Sequence, residues 1–134
     1  NAPIVHIIYG YIKVGEILRE KQEIERYSWH PHSINQNRPN NRLYLPDIYG
    51  TFQYDDSLVL TKRVQDNRRL WALPAFFGDG GISISWQGDN CPTVKDGYAE
   101  LNSACRGQEF VVTASTPKQE RNLCDWVDRL IQNR

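Results

Sequence analysis

The sequence predicts an α+β fold, in which a curled, mostly antiparallel sheet or a small β-barrel carries a C-terminal amphipathic helix. Several short segments are rich in β-branched and aromatic residues, as strands are. These segments do not alternate with helical patterns, which argues against a parallel α/β sheet. One apolar stripe of helical period lies at the C-terminal end, at about residues 117–132.

The length and composition predict one globular domain spanning residues 1–134. The 16 Lys and Arg residues balance the 16 Asp and Glu residues, so any contact with nucleic acid would depend on a local patch. The 3 cysteines form no CxxC pair, which predicts reduced thiols in a cytoplasmic protein. No apolar run reaches the length of a membrane-spanning helix. The sequence contains no methionine, so we expect a processed chain or a piece of a longer protein.

The N-terminal part predicts one long strand followed by a short helix. Residues 4–18 are rich in β-branched and aromatic side chains, and we expect a long, coiled strand, either continuous or broken into two. Gly10 and Gly15 would weaken a flat strand, so they indicate a bulge or the close approach of another backbone. The charged residues 19–26 fit a short surface helix or turn.

The middle of the chain predicts short strands. They are expected at residues 42–45, ended by Pro46, at 58–61, and at 82–86, where apolar and polar residues alternate. Residues 48–56 are expected to be loop with extended pieces. Residues 70–77 are apolar, but Pro74 excludes a central strand. Residues 62–69 form the one strongly basic run, which predicts either a solvated face or a phosphate contact.

The C-terminal part predicts a short helix at residues 98–106, a strand at 108–114, and the amphipathic helix. Thr116 as N-cap, Pro117 at the first helical position and Gln119 at the third form a capping-box signature. The stripe that follows consists of Leu123, Trp126, Val127, Leu130 and Ile131. Its spacing is that of a helix with one buried face.

The polar stretch at residues 29–44 is the first candidate site. Pro31 favours extended geometry at His30, so that the side chains of His30 and His32 would project to the same side. The two imidazoles could bind a base or phosphate, ligate a metal, or be structural. Because no third ligand lies near, we predict no metal site, and no cofactor is indicated.

Asn41, Arg42 and Tyr44 at the end of this stretch form a second candidate set. Arginine presents a planar fork to phosphate or a base edge, asparagine offers a donor and an acceptor, and tyrosine offers a stacking face. Consecutive asparagines also simply form turns. Tyr44 or Trp86 is expected to stack on a base.

Arg106, Gln108 and Glu109 form a third candidate set at the start of a predicted strand. Gln108 and Glu109 could contact an amide-like base edge, or Glu109 could pair structurally with Arg106. The sequence contains no nucleotide-binding glycine motif, zinc-protease motif or serine-nucleophile motif. A catalytic nucleophile is therefore not identified.

Five of these segments together carry a resemblance to a known family. They are the segments IYGYIKVGEIL (residues 8–18), HPH (30–32), NRLY (41–44), LWALP (70–74) and RGQEFV (106–111). In this order they resemble the C-terminal half of bacterial and phage proteins of the nucleotide modification associated domain family, type three. The resemblance implies that the chain is the C-terminal portion of a longer architecture. The first segment is also similar to a strand of PUA-like domains of the EVE and ASCH types, which implies a small barrel with a pocket for a modified base or nucleotide.

The resulting hypothesis is a nucleic-acid- or nucleotide-binding domain associated with DNA base modification. Its pocket is expected to combine His30, His32, Asn41, Arg42 and Tyr44 with Trp86, Arg106, Gln108 and Glu109. One alternative is a nucleotide-modifying enzyme or nuclease, with His30 or His32 as general base and Glu109 as its partner. Another is a non-catalytic domain whose polar loop docks a protein.

Overall fold

The computed structural model describes residues 4–34, 38–62, 67–87, 90–104 and 109–132. The chain divides into two compact units. Unit 1 comprises Asn1–Tyr9 and Phe52–Arg134, and unit 2 comprises Gly10–Thr51. None of the helices in the described ranges is both long enough and apolar enough to cross a membrane.

The described elements confirm the α+β class and the antiparallel pairing. In chain order they are β1 (Gly10–Leu18), α1 (Lys21–Glu25), α2 (Pro31–Ile34), β2 (Leu43–Thr51), β3 (Leu70–Pro74), β4 (Ile82–Ile84), β5 (Thr93–Lys95), β6 (Tyr98–Asn102), β7 (Val112–Ala114) and α3 (Pro117–Gln132). The strands form three small sheets with the orders β1-β2, β3-β6-β5 and β4-β7. Because the described strands do not close on themselves, the small barrel that we considered is wrong.

In unit 2, β1 and β2 form an antiparallel ribbon that explains both glycines of β1. A Cβ atom at Gly10 would lie 2.6 Å from the backbone oxygen of Gly50, so only glycine fits there. The register shifts between Val14 and Glu16, which leaves Gly15 at a bulge. Both expectations for these glycines, a close backbone approach and a bulge, are confirmed.

One predicted boundary in this region is wrong. The strand that we expected to end at Pro46 continues to Thr51, because Pro46 pairs with Val14 at the register shift, where a missing N–H is tolerated. The strand predicted at residues 4–18 is broken into two, the second of its two expected forms: Ile7 forms an isolated bridge with Val59, and the regular strand begins at Gly10. The short helix expected at 19–26 is confirmed as α1, whose Ile24 packs with Leu18 and Leu43 in the core of this unit.

In unit 1, the helix predicted at residues 98–106 is wrong. Residues 98–102 are β6, in which Ala99 and Leu101 are buried and alternate with more exposed neighbours. β6 pairs with β5 across Asp96 and Gly97, both of which have positive φ. An Asp-Gly pair between two strands is a strong hairpin signal, and it outweighs the helical propensity of alanine, glutamate and leucine.

The core of unit 1 is built from β3, β6 and the segments beside them. Its buried residues are Leu60, Trp71, Leu73, Phe77, Ala99 and Leu101. The strand predicted at residues 58–61 is present only as isolated bridges, from Val59 to Ile7 and from Thr61 to Trp71. Pro74 is the last residue of β3, at the edge of its sheet, as predicted for a proline that cannot enter a central strand.

The amphipathic helix is confirmed as α3, and its cap differs from the predicted one in one respect. The Gln119 N–H donates to Thr116 Oγ1 at 3.2 Å, as in a capping box. The Gln119 side chain does not return to Thr116. It donates instead to the carbonyl oxygens of Phe76 (3.2 Å) and Gly80 (2.6 Å). The ring of Trp126 packs edge-on against Phe77, so α3 is held at its start and along its apolar face.

Candidate functional site

The two histidines of the polar stretch lie at a helical turn, and our expectation of extended geometry is wrong. His30 precedes α2 and His32 lies within it. The Ser33 N–H and hydroxyl both donate to the His30 carbonyl oxygen, at 2.9 and 2.7 Å. Pro31 occupies the first helical position, where its missing N–H costs nothing. The imidazoles are nevertheless close, with ring centroids 5.0 Å apart and planes nearly perpendicular.

In the neutral form of each ring, the backbone hydrogen bonds select opposite tautomers. The His32 N–H donates to His30 Nδ1 at 3.2 Å, so the His30 proton lies on Nε2. His32 Nδ1 lies 2.6 Å from the Arg42 carbonyl oxygen, which only accepts, so the His32 proton lies on Nδ1. His30 therefore presents an Nε2–H donor, and His32 presents an Nε2 lone pair. Neither Nε2 has a hydrogen-bond partner among the described residues.

Asn41 and Arg42 complete a connected network with the histidines. Asn41 Nδ2 donates to the His32 carbonyl oxygen at 2.7 Å. Arg42 Nη1 donates to the Asn41 carbonyl oxygen at 2.8 Å, which fixes the guanidinium beside the turn. We call His30, His32, Asn41 and Arg42 the paired-histidine cluster. Four of the predicted ligand-binding residues are thus brought together.

Aromatic side chains adjoin this cluster. The ring of Trp29 meets His30 edge-on, with centroids 5.5 Å apart, and 76% of Trp29 is exposed. Tyr44 is exposed on β2, opposite Ile17. Trp29 was not among our predicted binding residues. The signal that indicates it is a large aromatic residue within a stretch too polar to bury it.

A cavity of about 170 Å³ lies in the same unit, and we call it the basic pocket. Its lining residues are Arg19, Lys21, Ile24, Arg38, Pro39 and Asn41. The β1-β2 pairing creates this cavity, because Leu18 lies opposite Leu43 and the segments that flank this pair therefore meet at one end of the ribbon. Asn41 belongs to both the basic pocket and the paired-histidine cluster. Sequence inspection missed Arg19, Lys21 and Arg38, which come from two separate segments.

The other predicted site residues belong to unit 1 or lie outside the described residues. Trp86 is 71% exposed and has a φ of 67°, a left-handed conformation that is rare for a bulky side chain. Glu109 is exposed. Arg106 and Gln108 fall outside the described residues, as does the pairing of Glu109 with Arg106. A common pocket that combines these residues with the histidines remains a prediction.

The basic run at residues 62–69 has structural partners where it is described. Lys62 forms an ion pair with Glu100, and the hydrogen bond between them raises the pKa of Lys62 and lowers that of Glu100. Arg69 Nε donates to the Ser103 carbonyl oxygen at 2.8 Å. These two cations are thus engaged in holding β3 and β6 together. The described part of this run favours a structural role over a phosphate contact.

Within the described ranges, no group of three or more His, Cys, Asp or Glu side chains is arranged to hold a metal ion. Cys91 and Cys124 are exposed free thiols. His30 and His32 could supply two nitrogen ligands through Nε2, and no third side chain of these types joins them in the described ranges.

Comparison with known proteins identifies the family. The family model described as nucleotide modification associated domain 3 matches residues 1–113, a range that includes the whole paired-histidine cluster and the whole basic pocket. Searches of curated proteins and of solved structures found no match.

Proposed function

Because the chain belongs to the nucleotide modification associated domain 3 family, we propose that it binds a nucleotide or nucleic acid in the service of base modification. In this proposal the paired-histidine cluster contacts the base. The partner of the protein is a nucleic acid strand or a nucleotide, with a modified or an unmodified base, and the protein acts in the cytoplasm.

The observation that carries the proposal is the opposite polarity of the two imidazole Nε2 atoms, neither of which has a hydrogen-bond partner among the described residues. One ring offers a donor and its neighbour an acceptor, and each tautomer is held by a backbone group. Nucleobase edges present donors and acceptors side by side, and the two rings that carry this donor and this acceptor are neighbours, with centroids 5.0 Å apart. Arg42 keeps further N–H groups for the ligand, since one nitrogen is engaged with Asn41.

Exposed aromatic side chains support the same proposal, and Trp29 is the one in contact with the cluster. Every base has a π-face, and stacking on an aromatic side chain contributes about 1–3 kcal/mol per base. Trp29 is placed for this by its contact with His30. Tyr44 and Trp86, predicted from the sequence to stack, are also exposed. We expect Trp29 to be the main stacking residue, because it directly adjoins the histidines.

The test is a titration of labelled oligonucleotides, unmodified and base-modified, at low and moderate salt. We expect saturable, salt-sensitive binding. His32→Phe keeps a ring but removes Nε2, and it should weaken discrimination between the two oligonucleotides by about tenfold, the size of one good base contact. Gln22→Ala, an exposed change on α1, is the control. Absence of saturable binding by the intact protein would exclude the proposal.

A catalytic role is a second candidate, and one observation favours it. An imidazole whose Nδ1–H is held by a backbone carbonyl has its Nε2 lone pair oriented for proton abstraction. Glu109, the partner that we predicted from the sequence, is not required for this orientation. Mass spectrometry of nucleosides recovered after incubation would reveal turnover. If turnover is found and persists in His30→Ala and His32→Ala, neither histidine is the base.

A further inference from the structure

We infer that the basic pocket binds one phosphate group of the nucleotide or strand whose base lies at the paired-histidine cluster. The identity of the ligand rests on the proposed function, whereas the preference for phosphate rests on the pocket itself. Three cationic side chains line this cavity, and none of its lining residues is acidic.

The charge arrangement favours an anion. Arg19 and Arg38 form no ion pair with any described residue, and Lys21 has only a long, exposed contact of 3.8 Å with Glu25. Three like charges around one cavity repel one another, and a bound anion removes that repulsion. Arginine donates in a fork that matches two phosphate oxygens, so Arg19 and Arg38 suit phosphate better than lysine alone would.

The size of the cavity limits what it can hold. Pockets that enclose whole small molecules measure about 300–1,000 Å³, whereas the basic pocket measures about 170 Å³. It therefore fits one group of a ligand and leaves the remainder outside. Its lining includes Ile24, which is buried in the core of unit 2, so one wall is apolar and fixed.

The position of the pocket connects it to the base-contacting groups. The Asn41 N–H donates to the Arg38 carbonyl oxygen at 3.1 Å, which closes a turn with Pro39 at its second position. The same asparagine donates through its side chain to the His32 carbonyl oxygen. One rigid turn thus lines the pocket and joins the cluster. A nucleotide with its phosphate in the pocket would extend toward His32.

The experiment compares four probes on the full chain: a labelled oligonucleotide, a nucleoside 5′-monophosphate, the matching nucleoside and inorganic phosphate. The test variant is Arg19→Gln/Arg38→Gln. The matched control is Lys13→Gln/Arg26→Gln, which removes the same charge from exposed positions of the same unit that do not line the pocket. Circular dichroism and thermal melting check that each variant folds.

We expect the monophosphate to bind more tightly than the nucleoside, and Arg19→Gln/Arg38→Gln to remove that difference. The affinity of this variant for the monophosphate should fall roughly tenfold or more, as expected when charge-assisted hydrogen bonds are removed. The control should lose little, because Lys13 and Arg26 do not line the pocket and would act on the anion only over a longer, screened distance. For the oligonucleotide, the slope of log affinity against log salt should fall by about 0.7, the value for one phosphate contact on a single strand.

Each outcome decides between the two proposals. If the monophosphate binds but the test variant and the control lose affinity equally, the pocket inference is wrong and the proposed function stands. If only inorganic phosphate binds, and only the test variant loses it, the pocket inference stands and the proposed function is wrong. If no probe binds, both are wrong.

Discussion

The contact of Gln119 with the turn after β3 gives a prediction whose magnitude follows from the structure. The side chain is 5% exposed, and its amide donates to the carbonyl oxygens of Phe76 and Gly80. Gln119→Ala removes both donors and leaves two acceptors without their partner. Each net hydrogen bond contributes about 1 kcal/mol, and the lost buried methylene surface contributes about 1 kcal/mol more.

We therefore expect Gln119→Ala to lower the free energy of unfolding by about 3 kcal/mol. At about 4 °C per kcal/mol for a chain of this size, the melting temperature should fall by roughly 12 °C. The assay is urea denaturation followed by circular dichroism, with thermal melting as a second measurement. Gln132→Ala, the same substitution at an exposed position of the same helix, should change stability by less than about 0.5 kcal/mol.

The Gln119→Glu variant distinguishes the stability contribution of the two hydrogen bonds from that of side-chain volume. Glutamate keeps nearly the same volume, but its carboxylate only accepts and would face the two carbonyl oxygens. At neutral pH we expect Gln119→Glu to lower the free energy of unfolding at least as much as Gln119→Ala does. On acidification the stability should partly recover, because the protonated carboxyl can donate a hydrogen bond. The reasoning is refuted if Gln119→Ala is no less stable than Gln132→Ala.

Two further predictions concern His6 and Trp86. Burial, and then the positive charge of Arg68, lower the pKa of His6 in the folded state, and its neutral Nδ1 accepts from Trp71 Nε1 at 2.8 Å. The unfolded chain therefore binds the proton more readily, so the urea midpoint should fall as the pH drops below about 6.5 and level off below the folded-state pKa. The His6→Gln variant should lack this fall of the urea midpoint on acidification. An equal pH dependence of the midpoint in both proteins would contradict the prediction. Trp86→Gly should raise the free energy of unfolding by up to about 1 kcal/mol, because glycine tolerates the positive φ and removal of an exposed ring loses little buried surface. A lower stability of this variant in urea denaturation would exclude backbone strain at Trp86.

Local sequence patterns predicted the elements that depend on near neighbours. The helix predicted at about residues 117–132 is α3, because its apolar stripe and its Thr116 cap are properties of residues three and four apart. Gly10 and Gly15 indicated a close approach and a bulge through residue type alone: a Cβ atom at Gly10 would lie 2.6 Å from the Gly50 oxygen, and Gly15 lies at a register shift. The error at β6 was also local: Ala99 and Leu101 alternate with period two, and Asp96-Gly97 is a hairpin turn.

The sequence by itself determined that most of residues 29–44 could not form a core, and that histidine, asparagine and arginine would be concentrated there. Only the tertiary structure decided how these groups are used. The helical turn at Pro31 and the carbonyl of Arg42 set the two imidazole tautomers, and the pairing of Leu18 with Leu43 brings Arg19 and Arg38 to one cavity. The tautomer of His30 depends on the local helical turn, whereas the tautomer of His32 and the cavity depend on contacts between separate segments of the chain. Composition and spacing along the chain do not specify contacts of the second kind.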